Sequence, residues 1–222
     1  PVFLPKRNES DRPVSDSLSL NAAGSSALDE ETARAELYGL LAQLYYARPT
    51  PQNLAALRVA VTEPPMEGGF LQEPWQQLVG AARAQDDAAI AAEFDRLFGG
   101  LGKPEVYLYG SHYLSGFLNE KPLVRLRSDL AALGLARGEA IPETEDHVAY
   151  LCEVMRYLIA GDDMAVCNLT TQRNFFATHL QPWILQLCDA LQGQPAAQFY
   201  AALAHFTRAF VAVEAQGFDM LE

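Results

Sequence analysis

The stretch 143-ETEDHVAYLCEVMRYLIA-160 decides how the chain is read, because an acidic cluster with a histidine sits at the mouth of an apolar helix. Val148, Leu151, Cys152, Met155, Leu158 and Ile159 recur at helical spacing and mark one buried stripe. With Thr144 as N-cap, Glu145, Asp146 and His147 fill the first turn, where carboxylates meet exposed N–H groups and the positive end of the helix dipole. Capping alone accounts for Glu145 and Asp146. It accounts less well for His147, since an imidazole at N3 is not a preferred cap partner, so the cluster is read either as a cap, as a metal or catalytic site, or as a patch that recognises something basic and apolar.

The same helical period runs through most of the rest. Asp29 can cap a helix from Leu28, with Leu37, Leu40, Leu41, Leu44 and Tyr45 as its stripe, ending before 48-RPTP-51. Shorter helices are expected over 52–61, 70–84 and 86–98, the last placing Ile90, Ala91, Phe94, Leu97 and Phe98 on one face. Gly99-Gly100 reads as a left-handed stop. Segment 99–122 is rich in Gly and Tyr and has no clean period, which marks a functional or lobe-joining loop. Helical pattern resumes over 123–137, 144–160, 163–180, 182–192 and 195–216, with Pro182-Trp183 breaking and restarting the last but two of these. No convincing strand or internal repeat is found. The expected fold is all-α, a bundle of about nine to eleven helices. A smaller lobe over about 28–117 and a larger one over 118–222 surround the central loop, and residues 1–27 form a mobile arm.

Composition narrows the function classes. Of 222 residues half are apolar and a fifth charged, and the formal net charge is −12. An acidic surface disfavours nucleic acid and anionic membranes and favours basic partners. No run approaches the ~18–20 apolar residues of a membrane span, and the N-terminal segment lacks the apolar core of a signal peptide. Cys152, Cys167 and Cys188 form no CxxC unit and fall within apolar helical patterns. Buried free thiols in a reducing cytoplasm are expected.

Catalytic motifs are weak. None of the histidines His112, His147, His179 and His205 has a partner at i+3 or i+4, and HExxH and HxH are absent. GxSxG and phosphate-binding glycine loops are absent as well. Ser111 beside His112 has no third member. An all-α metal-dependent hydrolase using Asp146, His147, His112 and His179 is the alternative reading. It requires those side chains to converge in space.

Four elements in order carry a resemblance. They are Phe94 before Leu97-Phe98; Tyr109, Gly110, Ser111, Tyr113 and Leu114 in 109-YGSHYL-114; Glu143, Glu145, Asp146 and His147; and His179, Pro182 and Trp183 in 179-HLQPW-183. Together they resemble the TorD/DmsD/NarJ family of cytoplasmic chaperones for molybdenum-containing oxidoreductases. The family's E-P-x-D-H element is met with Thr144 in place of Pro. The resemblance spans about residues 30–216 and implies a non-enzymatic protein without a cofactor of its own. It would bind the apo-molybdoenzyme catalytic subunit and its twin-arginine signal peptide before export, as a monomer or a homodimer. It implies a peptide-binding site in which Glu143, Glu145 and Asp146 meet the arginines. Tyr109, Tyr113, Phe94, Leu97 and Trp183 would line an apolar groove, with Gly110, Ser111, His179 and Pro182 alongside. His147 would orient Asp146 or hydrogen-bond the peptide backbone.

Overall fold

The computed structural model describes residues 3–5, 22–62, 69–99, 103–118, 121–138 and 141–220. In chain order the elements are β1 (Phe3–Pro5), α1 (Ala22–Tyr46), α2 (Pro51–Val59), α3 (Gln72–Ala84), α4 (Asp87–Phe98) and α5 (Gly110–Ser115). They continue with α6 (Lys121–Ala132), β2 (Leu135–Arg137), α7 (Val148–Ala160), α8 (Leu169–Phe175), a π-turn over Phe176–Leu180, α9 (Gln181–Gln192) and α10 (Phe199–Asp219). The all-α expectation holds. Departures from it among the described residues are a three-residue antiparallel ladder, in which Phe3 faces Arg137 and Pro5 faces Leu135, and a single bridge between Tyr109 and His147. No helix among the described residues is long and apolar enough to cross a membrane.

Helix α7 is buried on nearly every side through its first two turns, from Val148 to Cys152 and again at Val154 and Met155. A helix that is apolar all round needs cover all round, and α1 runs along it. Tyr38, Leu41, Leu44 and Tyr45 are the large buried side chains of α1, with Ala35 and Ala42 buried beside them, whereas Leu37 and Leu40 are only half-buried. Helix α10 lies against α9, α3 and α4, so residues from both sides of the central loop share one core. The three cysteines are buried free thiols, and burial pushes the Cys152 thiol well up.

Several boundaries differ from expectation for local reasons. Helix α1 starts at Ala22, so Asp29 lies inside it instead of capping it. The rest of the arm expected over 1–27 lies mostly outside the described residues. Gly99 ends α4 in an extended conformation (φ −91°, ψ −158°), not a left-handed one. A Cβ there would come within 2.7 Å of the Asp95 carbonyl oxygen, so glycine is needed for space. Pro182 does not break the helix. The chain widens into the π-turn instead, with the Gln181 N–H donating to the Phe176 oxygen five residues back. Proline offers no N–H to the preceding turn, and the Trp183 indole donates to a carbonyl of that turn, the His179 oxygen, at 2.7 Å.

One buried acid ties the two ends of the core together. The Glu93 carboxylate of α4 accepts the N–H groups of Gln198, Phe199 and Tyr200 at 2.9, 3.2 and 2.9 Å. Helix α10 has no side-chain cap of its own, and its first N–H groups would otherwise lack acceptors. Glu93→Ala should destabilise the protein by roughly 3 kcal/mol, the upper end for a charged acceptor whose buried donors are left unpaired. Asp189→Ala, which removes an exposed pair with Arg208, should cost at most about 1 kcal/mol. Urea unfolding of both variants checks the contrast.

Candidate functional site

The loop before α5 and the loop before α7 meet edge to edge. The Val148 N–H donates to the Leu108 oxygen at 2.8 Å, and the Gly110 N–H donates to the Asp146 oxygen at 2.9 Å. The Asp146 side chain adds a third link, accepting from the Ser111 N–H at 2.9 Å through Oδ2. Its other oxygen accepts the Thr144 hydroxyl at 2.7 Å. The segment expected to be an aperiodic loop therefore holds a short helix, α5, whose first N–H is met by Asp146.

The expected cap at Thr144 is corrected. Helix α7 begins at Val148, and His147 is its N-cap, with Nδ1 accepting the Ala149 N–H at 3.2 Å. Glu145 and Asp146 precede the helix in a turn. Asp146 is spent on the loop before α5, not on the α7 dipole. Glu145 is paired within the chain: Arg127 lies 2.9 Å from Oε2 and Arg137 3.6 Å from Oε1. Nothing in the sequence singles out either arginine. They lie 18 and 8 residues before Glu145, with no helical or motif spacing to link them to it.

Gly110 sits directly on the buried Trp183 ring. A Cβ at position 110 would approach Nε1 to 2.8 Å and Cε2 to 2.9 Å. Tyr113 stacks on the same indole with centroids 5.6 Å apart and planes 13° from parallel. The wall formed by 108–111 and 146–148 has a hollow on each side. One, of about 150 Å³, is lined by Tyr46, Phe94, Tyr107, Tyr109, Glu143 and His147 among others. The second, of about 260 Å³, has Leu114, Leu126, Asp146, His179, Pro182 and Trp183 around it.

Most residues named from the sequence thus come together, but not in one groove. Tyr109, Glu143, His147 and Phe94 face the first hollow; Gly110, Ser111, Asp146, His179, Pro182 and Trp183 border the second. Tyr113 joins them through the Trp183 ring. Leu97 is corrected: it is fully buried in the core and lines neither hollow. The hydrolase alternative is corrected too. His179 bonds Asp129 at 2.8 Å, His112 stacks on Tyr107 with centroids 4.1 Å apart, and His147 caps α7. Among the described residues no three His, Cys, Asp or Glu side chains stand close enough together to hold a metal ion.

The first hollow has a distinct electrostatic character. Tyr109 donates its hydroxyl to the Glu143 carboxylate. Burial first, then that bond and the Glu143 charge, hold the phenol well above its ordinary range, so Tyr109 stays neutral. The His147 ring stands edge-on to Tyr109, with centroids 5.0 Å apart. Burial pushes the imidazole down to about 4, with the Asp146 charge opposing. His147 is therefore neutral when folded, whereas an unfolded histidine takes up a proton near 6.5. Between those values the unfolded chain binds the extra proton. This contribution to stability is whole above about pH 6.5 and is lost as pH falls toward 4, by about 3 kcal/mol in all. Asn is a good N-cap and does not titrate. His147→Asn should lessen the acid-side loss by about that amount in urea unfolding series run from pH 7 down to about 4. Parallel wild-type and variant curves would refute the assignment.

Comparison with known proteins places this arrangement. Residues 69–189, more than half of the chain, match the family described as nitrate reductase delta subunit. The chaperone protein TorD of Vibrio cholerae serotype O1 strain O395 is 28% identical over 204 aligned residues, which cover 85% of this chain and 93% of the relative. TorD of strain N16961 is 26% identical over the same coverage. The matched span holds the wall, the larger hollow, the Trp183 indole and the first hollow's lining apart from Tyr46, and the chain belongs to the nitrate reductase delta subunit family, the TorD/DmsD/NarJ family that its motifs resemble.

Proposed function

We propose that this chain is a maturation chaperone for a molybdenum-cofactor oxidoreductase, and that it recognises the twin-arginine signal segment of the apo-enzyme in the cytoplasm. Residues 28–222 act as one domain in this reading, with the first residues as an appended arm. Family membership and the chaperone relatives support the general role. The observation that carries the finer one is the wall of 108–111 and 146–148, with an acidic aromatic hollow on one face and a larger, more apolar hollow on the other.

The ligand's chemistry matches that division. A twin-arginine signal joins two guanidinium groups to an apolar helix-forming stretch. Such a ligand needs carboxylate and aromatic contacts for one part and an apolar surface for the other. Leu114 borders the larger hollow and is 42% exposed; Phe117, just beyond α5, is 71% exposed, and Val124 on α6 is 62% exposed. Apolar side chains left in water on and just beyond α5 and on the neighbouring α6 are the kind of surface that a partner covers. The net charge of −12 draws a basic peptide toward the protein before contact.

Asp146 acts in this scheme by holding the wall. Calorimetric titration with a signal peptide from a candidate client should give micromolar or tighter binding. Asp146→Ala should weaken it by about tenfold or more, ~1.4 kcal/mol, because Ser111 and Thr144 lose their acceptor and the wall loosens. Asp146→Asn, which keeps an acceptor, should weaken it less. A folded Asp146→Ala protein with unchanged affinity would count against the wall as the recognition element.

A further inference from the structure

Three carboxylates stand in the 143–146 loop, but they are not equivalent. Glu145 is neutralised by Arg127 and Arg137. Asp146 is buried, with both oxygens engaged by Ser111 and Thr144. Glu143 is half-buried at the mouth of the smaller hollow, and its side-chain partner is the neutral Tyr109 hydroxyl. Arg137 also approaches this loop, but it donates to the backbone oxygens of Ile141 and Glu143 and pairs with Glu145. Among the described residues no cation pairs with the Glu143 carboxylate.

The walls of that hollow are aromatic. Tyr46, Phe94, Phe98, Tyr107 and Tyr109 contribute rings, His147 is neutral, and among the described residues Glu143 is the one charged side chain of the lining. Aromatic faces attract cations, and most readily a planar, weakly hydrated guanidinium. A lone carboxylate in such a cage balances one positive charge. A second cation in the same space would be desolvated without a partner, which is strongly unfavourable.

We infer that the hollow at Glu143 is a subsite for a single guanidinium group, taking one arginine of a client's arginine pair and leaving the other outside. This rests on the proposed reading of the site and deepens it. Glu143 supplies the countercharge, Tyr109 orients that carboxylate through its hydroxyl, and the surrounding rings select guanidinium over ammonium. Glu145 and Asp146 shape the loop without meeting the ligand's charge. Recognition of the pair is therefore unequal between its two arginines.

The test uses the full chain, Glu143→Gln, and a peptide with an Arg-Arg pair followed by an apolar stretch. It is run in parallel with its two single Arg→Lys forms. Gln keeps an acceptor for Tyr109 and removes the charge, and unchanged thermal unfolding confirms that the fold persists. One Lys substitution should weaken wild-type binding about tenfold or more and the other less than about twofold. Glu143→Gln should bind the parent peptide as weakly as wild type binds the sensitive Lys form, and should no longer distinguish the two forms. Equal losses from both substitutions, or unchanged affinity of Glu143→Gln, would overturn the inference. If wild type binds no such peptide, the signal-peptide reading fails by itself. N-acetyl-arginine amide then tests the subsite alone. Shifts of tyrosine ring signals in wild type, absent from Glu143→Gln and absent with N-acetyl-lysine amide, would sustain it, and no shifts would overturn it.

Discussion

The hydrogen bonds that join residues 108–111 to 146–148 position everything else at the site. They bring the starts of α5 and α7 together across nearly forty residues of sequence. They also press Gly110 onto the Trp183 indole and separate one hollow from the other. Each bond contributes only about 1 kcal/mol net, but the groups are buried, and an unpaired buried N–H or carboxylate costs more than its bond returns. The wall is therefore held as a unit. Asp146 belongs to it through backbone and side chain alike, and His147 closes it by capping α7 with a ring that burial keeps neutral.

This division of labour bears on how the proposed acidic recognition motif would work. Two of its three carboxylates are consumed by the protein: one holds the neighbouring loop, and the other is matched by two arginines from α6 and β2. Only Glu143 faces an aromatic space with its charge unbalanced by a described residue. Buried charges in proteins are normally paired or heavily hydrogen-bonded, so a receptor for a basic peptide cannot leave all its acids waiting. In the proposed reading, the partition between structural and receptive carboxylates follows from that cost.

Much of the fold was legible because the apolar spacing of α4, α7, α9 and α10 is strong, and the four motif elements stand in the order the family uses. What escaped the sequence was mostly contact across distance. Glu93 lies on an otherwise apolar helix face, and nothing local shows that it caps α10. Arg127 and Arg137 reach Glu145 from separate elements. Leu97 shares a helix with Phe94, but only the fold shows that one points into the core and the other borders a hollow. Thr144 is the better intrinsic cap, yet the cap of α7 lies three residues later, at His147. Tertiary demand on Asp146 holds the chain out of helix until His147. Proline at 182 reads as a break because its missing N–H is visible in sequence, whereas the π-turn that carries the chain past it is not.

Mapping a bound signal peptide by amide and side-chain NMR on the isotope-labelled protein tests the central claim most directly. The account predicts that the largest changes fall on Tyr109, Glu143 and His147 and on the Trp183 indole, with Leu114 and Phe117 following. Changes confined to a distant surface, such as the exposed Val59 and Phe70 near the ends of α2 and α3, with the wall unmoved, would contradict it.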